Sequence, residues 1–335
     1  MASRNASASA FGWDFQVNAA IVLMLENITE VDSIRVEGES EDIELILQDG
    51  MKIYSQAKSV QNASIDFHNV KAKMNAAINS LADAYEKGDS KKLIYVTNSP
   101  NPFNDENTRN IFYGSSTRDY NTLPESCQHV IQGMIDKLTD KTIDVEQFVI
   151  RVIPFETADM NERYKVIKRF VDDFMYEVAP NILGVGNTVL RIWQNDLFHN
   201  ATMPDTDICI SKKEFVWSII VVATEIEKNG GEYLDDIDVG DYDEIVYTYK
   251  NIINSCTERF EFATRVITDY NEFYFVGNQR QKAQAFIEER WMTFVDEFAG
   301  NSIDSEIKEQ LIKIILFNIL KQKRVISEIK KRVNL

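Results

Sequence analysis

Cysteine and histidine are scarce in this sequence. Its 335 residues hold three of each, Cys127, Cys209 and Cys256, and His68, His129 and His199. The cysteines are odd in number and far apart, which argues against a disulfide framework and fits a reducing cytoplasm. No His-Glu-x-x-His pattern or paired Cys/His spacing occurs, so a zinc hydrolase is not expected. No run of about 18 apolar residues is found, and no membrane span is expected. The opening MASRNASASA is small and polar with no apolar segment behind it, which argues against a secretion signal. Basic residues are also in short supply: 36 Lys and Arg face 53 Asp and Glu, a formal charge of −17. Nucleic-acid binding normally needs clustered Lys and Arg, but a local basic groove can persist in an acidic chain. The imbalance is indeed local. Glu232–Glu244 holds seven acids and no base, whereas from Asn301 onward eight bases face four acids. Runs of this kind are usually solvated faces.

What is present suffices for real cores. Hydrophobic residues make up 44% of the chain, and its length suggests two domains. Phe11-Gly12-Trp13-Asp14-Phe15-Gln16 leads into a helix with Val17, Ala20, Ile21, Met24, Leu25 and Ile28 on one face, Gly12 and Asp14 marking its start. Val31–Glu37 reads as a strand, Phe67–Lys87 as a helix stopped by Gly88-Asp89, and Leu93-Ile94-Tyr95-Val96-Thr97-Asn98 as a central strand. Phe103–Pro124 is polar and irregular, Gln128–Leu138 helical, and Val145–Phe155 a further strand. With a hairpin between Glu37 and Lys58, this order predicts a mixed sheet flanked by helices. Past Glu156 the pattern is helical, over Asn161–Glu177, Thr188–His199, Lys213–Lys228, Asp243–Asp269, Gln281–Phe298 and a long last helix, Ile303–Val333. The expectation is an α/β domain over residues 1–158 and an all-α domain over 159–335.

The hairpin organises the first half. Ile43, Leu45 and Leu47 alternate with Asp42, Glu44 and Ile46; Met51, Ile53, Ser55 and Ala57 alternate with Lys52, Tyr54, Gln56 and Lys58. This is the period of a half-buried strand pair, and Gln48-Asp49-Gly50 supplies the turn. A three-residue loop sets Leu47 against Met51 and Asp42 against Gln56, with Lys58 diagonal on the same face. Opposed side chains then sit about 5 Å apart and diagonal ones about 7–8 Å. A carboxylate, an amide oxygen and an ammonium would converge. A two-residue Asp49-Gly50 loop would send Asp42 to the other face, and the sequence admits both.

An acid opening one strand and Gln-x-Lys on the next resembles the PD-(D/E)XK nuclease site. Acids and lysines on a solvated strand face are common, and the spacing alone does not separate the two readings. A wider set comes in one order: Gly12-Trp13-Asp14-Phe15-Gln16, Glu41-Asp42-Ile43, Gln56-Ala57-Lys58 and Tyr95-Val96-Thr97-Asn98. That set is similar to the double-stranded DNA endonuclease domain of CD-NTase-associated effectors in CBASS antiphage defence. It also resembles the nuclease subunits of Lamassu and other ABC-three-component systems, and HerA-coupled defence nucleases. Phe15 stands where Tyr is commoner in the family. The resemblance covers about Gly12–Phe155 and implies a restriction-endonuclease-like α/β fold. It implies Asp42, Gln56 and Lys58 as active-site residues, with oxygens of Asp42 and Gln56 on Mg²⁺ or Mn²⁺ and Lys58 offsetting charge on the phosphorus. Gln56 stands where many members have an acid, which lowers metal affinity. Gln16, Glu26, Glu39 or Glu41 would supply further oxygens; for Glu26 the reading as an ordinary surface acid is the stronger one.

The segment Trp193–Val222, with ICISKKEF in it, is similar to C-terminal parts of ABC-three-component proteins. By that resemblance the partners are double-stranded DNA, an SMC-like ATPase and accessory defence subunits, the active form is a homo-oligomer, and the protein is cytoplasmic. A catalytically silent interaction subunit and a nucleotide or second-messenger binder with a helical sensor are the alternatives. Weaker signals remain. Gly184-Val185-Gly186-Asn187 reads as a helix-to-helix turn rather than a phosphate loop. Phe260, Phe262, Tyr270, Phe273, Tyr274 and Phe275 read as packing core rather than base-stacking platforms. The last helix serves either oligomer contacts or packing within its own domain.

Overall fold

The computed structural model of the chain describes residues 6–156, 159–178, 184–224, 260–298 and 305–335. The acidic run Glu232–Glu244, Cys256 and most of the helix expected over Asp243–Asp269 lie outside them. The chain divides into two units, Met1–Phe215 and Val216–Leu335.

The first unit is a mixed α/β fold around one seven-stranded sheet. In chain order come α1 (Ala6–Glu26), β1 (Val31–Val36), β2 (Ile43–Leu47), β3 (Lys52–Lys58), α2 (Val70–Tyr85), β4 (Ser90–Thr97), β5 (Ser116–Asp119), α3 (Glu125–Ile135) and β6 (Phe148–Val152). Next are α4 (Met160–Arg163), α5 (Lys165–Val178), α6 (Gly186–Ala201), β7 (Ile210–Ser211) and α7 (Lys212–Thr224), the last crossing into the second unit. The strand order is β5-β6-β4-β3-β2-β1-β7. β3, β4 and β6 run parallel, while β1, β2, β5 and β7 pair antiparallel with their neighbours.

The apolar faces explain the layers. Met74, Ala77, Ile78, Leu81 and Ala84 of α2 pack with Tyr54, Leu93, Tyr95, Phe148 and Ile150 of the sheet. Alternate strand residues such as Leu45 and Ile53 face the other way. There α1 crosses β1, β2 and β3 and is itself backed by α5 and α6. Enclosure on both sides makes α1 apolar all round, with Phe15 and Ala19–Met24 at 0–1% exposure. The expectation of no membrane-length apolar segment therefore needs amending. Ser7–Glu26 is long and apolar enough by composition, but it serves as a core helix with 67% of its window buried. Its start is also earlier than expected: the Ala/Ser stretch from Ala6 is helical, and Gly12 sits inside the helix.

Two further expectations are corrected. The hairpin strands are not half-buried, since even Glu44, Ser55 and Gln56 are buried. They lie in the middle of a sheet covered on both faces. The expected boundary near Asp159 falls inside the first unit. The segment beyond it is bolted onto the sheet edge. Arg35 of β1, 1% exposed, donates to the carbonyls of Met203, Ile208 and Glu37. Asn200 of α6 accepts from the Val36 N–H and donates to the Ile208 carbonyl. Trp193 stacks on Phe215 at 4.2 Å and donates to its carbonyl. Buried backbone groups need such partners, so α5, α6 and β7 fold with the sheet. Gly184 leads through a left-handed turn into α6, and a Cβ on Gly186 would run into the Asp172 carboxylate.

The second unit is helical where it is described: α8 (Phe260–Glu272), α9 (Gln279–Arg290), a 3₁₀ stretch Trp291–Phe298, α10 (Ser305–Lys321) and α11 (Lys323–Val333). Of the aromatics singled out in the sequence, Phe262, Tyr270 and Phe273 are buried in its core, Phe262 edge-on to Phe294 and Phe298, and Tyr270 and Phe273 edge-on to Phe286. Tyr274 stays 87% exposed. The long last helix is interrupted at Gln322. Leu311, Ile312 and Ile314–Ile319 are buried, which answers the open choice in favour of packing within the unit.

Candidate functional site

The hairpin register brings the candidate residues to one corner. Ile46 pairs with Lys52, Leu45 with Ile53, Glu44 with Tyr54 and Ile43 with Ser55. Leu47 and Met51 close a three-residue loop in which Gly50 takes φ +83°, the conformation that favours glycine. Continuing one step past Ile43 sets Asp42 opposite Gln56. β2 begins where β3 ends, so this corner lies at the carboxyl ends of the parallel strands β3, β4 and β6. Ligands in open α/β sheets bind outside such ends.

Asp42 marks where the strand ladder stops. Its carboxylate takes over the backbone, with Oδ2 accepting from the Ala57 N–H at 2.9 Å. The Lys58 ammonium donates to the same oxygen at 3.5 Å. Both side chains are partly exposed, 20% for Asp42 and 32% for Lys58, which keeps them open to a ligand. The loop behind Asp42 is fixed from three sides. Glu37 adopts φ +54° and its N–H donates to the Asp42 carbonyl. Gly38 donates to the Glu41 carbonyl. Gln16 of α1, 6% exposed, donates to the Asp42 carbonyl at 2.9 Å and to Glu37 Oε1 at 2.8 Å. Gln16 therefore holds the peptide that carries Asp42.

Glu41 is the anomaly. It is 4% exposed, and neither carboxylate oxygen has a hydrogen-bond partner. Burial pushes its pKa up to about 8; Ser80 of α2 pulls it back in part without reaching hydrogen-bonding geometry, and the negative charge of Asp42 adds to the rise. The other two candidates are engaged away from this corner. Glu26 grips Arg151 of β6 through two hydrogen bonds, at 2.7 and 3.3 Å. Glu39 is on the surface, paired with Lys87 at 2.8 Å. Asp14 and Asn98 are structural as well. Asp14 accepts from Tyr164 and Arg163, and burial holds its carboxyl above the usual range. Asn98 ties Val60 to Phe155.

Beside Lys58 opens a cleft of about 390 Å³, walled by Phe11 and Gly12 of α1, Ser59–Gln61, and Asp66, Asn69 and Lys73 near the start of α2. Lys73 is the residue that sequence reasoning missed. Its ammonium donates to the Ser59 carbonyl at 2.6 Å. Burial, and then repulsion from Lys58, hold its pKa below that of an ordinary lysine. Its position beside the apolar stripe of α2, between buried Val70 and Met74, was the available signal.

No family model, curated protein or solved structure matches this chain. The corner must be read from its own chemistry. Lys58, Lys73 and Asp66 line the cleft; Asp42 adjoins it through its pair with Lys58, and Gln56 and the unpartnered Glu41 carboxyl are buried behind. Among the described residues no three Asp, Glu, His or Cys groups converge as a metal cluster. A divalent ion here would rest on one exposed carboxylate and on neutral oxygens, with Glu41 the remaining acid. The orphaned oxygens of Glu41 fit that demand: alone the buried carboxyl stays protonated to about pH 8, and a divalent ion would take the place of that proton.

Proposed function

We propose that this corner is the active site of a metal-dependent DNA endonuclease of the PD-(D/E)XK type. The observation that carries the reading is the pairing of Asp42 and Lys58 at 3.5 Å where β2 and β3 part, beside an open cleft. Asp42 and Gln56 oxygens, with Glu41, would hold Mg²⁺ or Mn²⁺, hard ions that take oxygen ligands. When bound, such an ion supplies Lewis acidity and a more acidic water. The Lys58 ammonium offsets the charge that develops on the phosphoryl oxygens, where fixed positive charge contributes most. Lys73, one turn into α2, holds a neighbouring phosphate of the strand. Gln16 keeps the Asp42 peptide in place and excludes looser loop geometries. Within the resemblance, the biological setting is antiphage defence of the Lamassu kind, with double-stranded DNA as substrate, an SMC-like ATPase complex as partner, and homo-oligomers as the active form.

Cleavage of supercoiled plasmid with Mg²⁺, by the chain alone and with its partner complex, tests the reading. Nicking by the wild type and loss in both Asp42→Ala and Lys58→Ala, with melting temperature kept, is the expected result. Equal cutting by all three proteins would remove it. A second reading, a silent interaction subunit on the same fold, is favoured by neutral Gln56 and by the lack of a three-acid cluster among the described residues. Wild-type protein that never cuts and binds no divalent ion, in either state of assembly, would select it.

A further inference from the structure

The helical unit has a cavity of about 530 Å³ between α9 and the junction of α10 with α11. Its rim is basic: Arg280, Lys321, Lys323 and Arg324 line it, against one acid, Glu328. Its floor is apolar, from Ile287, Phe317 and Leu320. Two lysines share one aromatic ring at its edge, Lys323 Nζ at 4.5 Å and Lys282 Nζ at 4.9 Å from the centroid of Tyr270. Burial, and then repulsion from Lys282, hold the Lys323 pKa below the ordinary lysine value.

This arrangement departs from the rest of the unit. Lys313 pairs with Glu288 and Glu309, and Arg265 with Asp269 and Glu297. Lys282, Lys321, Lys323 and Arg324 have no carboxylate at ion-pair distance among the described residues. Among the described residues Lys282 and Lys323 have the Tyr270 ring in place of a carboxylate. The cavity also opens at the N-terminus of α9, where Gln279 and Arg280 line it, and the helix dipole there favours negative charge. The charges of Lys321, Lys323 and Arg324, without a carboxylate at ion-pair distance among the described residues, stand around a concave apolar floor and match a ligand with an anionic end and a flat apolar end. The volume is within the usual range for a small-molecule site, about 300–1,000 Å³.

We propose that this cavity binds a nucleotide, its phosphates on Lys321, Lys323 and Arg324 and its base over Ile287, Phe317 and Leu320. Calorimetric titration of the full chain with ATP, with inorganic tripolyphosphate and with a short blunt DNA duplex tests it. ATP binds in the micromolar range, at least about tenfold tighter than tripolyphosphate, and the Lys323→Glu/Arg324→Glu double variant weakens ATP by about tenfold or more. Lys321→Glu, an exposed change away from the Tyr270 ring, also weakens ATP and guards against a folding defect, and circular dichroism follows the helices in each. Tripolyphosphate binding as tightly as ATP would reduce the site to a charge sink and overturn the nucleotide. Heat from the duplex alone, from none of the three, or unchanged ATP affinity in both variants would overturn the proposal as well.

Discussion

The two clefts of this molecule treat charge in opposite ways. At the sheet corner each cation has an oxygen: Lys58 holds Asp42, and Lys73 holds the Ser59 carbonyl. The uncompensated group there is an acid, Glu41. In the helical cavity the groups without an opposite charge at ion-pair distance, among the described residues, are cations, two of them over Tyr270. A site with both signs a few ångströms apart can hold a cation and a phosphate together, as hydrolysis of a phosphodiester requires. A site of one sign can only retain an anion. The units also hold together differently. The first uses long-range polar clamps on a sheet, the second aromatic packing between helices.

The largest expected effect separates the two clefts functionally. Lys58→Ala is expected to lower DNA cleavage on the order of a hundredfold or more while leaving ATP affinity as in the wild type. Lys323→Glu/Arg324→Glu is expected to do the reverse, and parallel cleavage and titration assays read both. One variant damaging both functions would merge the sites and break the contrast.

Next comes the clamp on the sheet edge. Arg35→Ala leaves the Met203 carbonyl without its buried donor and takes one of two donors from the Ile208 carbonyl, which keeps Asn200. A loss of about 3 kcal/mol is expected in urea unfolding of the first unit. Loss within about 0.5 kcal/mol of zero would mean that residues 203–208 are not held as described.

The smallest effect is a pH slope. Folded, Glu41 keeps its proton up to about pH 8; unfolded, it releases it near its ordinary 4.5. Between these values the folded state binds more protons, so stability falls as pH rises from about 4.5 to about 8 and is level above. Glu41→Gln removes that slope. In EDTA at pH 7 the variant is expected to be the more stable, by on the order of 2 kcal/mol. Parallel stability–pH curves for the two proteins would contradict the burial of an uncompensated acid.

Much of the central sheet was legible because its signals are local. The turn chemistry of Gln48-Asp49-Gly50 and the alternation on either side define the hairpin, and of the two admissible loops the structure has the three-residue one. The edge strands were not legible. Ser116–Asp119 is polar and Ile210–Ser211 is two residues long, so only pairing with β6 and β1 makes them strands. The unit boundary was hidden for the same reason. Helical periodicity after Asp159 shows that α5 and α6 are helices, but not that Arg35 and Asn200 fasten them to β1. At the site, Gln16 was expected to offer an oxygen, and the structure has its amide N–H donating to the Asp42 carbonyl. Glu26 was not separable from Gln16 by sequence, because its partner Arg151 is 125 positions away. Lys73 sits beside the apolar stripe of α2, and only the folded chain brings it to the Ser59 carbonyl.

The central claim is that Asp42, backed by Gln56 and Glu41, forms a seat for a divalent cation next to Lys58. Calorimetric titration of Mn²⁺ into the wild-type chain and into Asp42→Asn measures that seat without requiring turnover. The account predicts saturable binding of one ion per chain in the wild type and its loss in Asp42→Asn, both proteins melting alike. The same ion count and affinity in both proteins would contradict it.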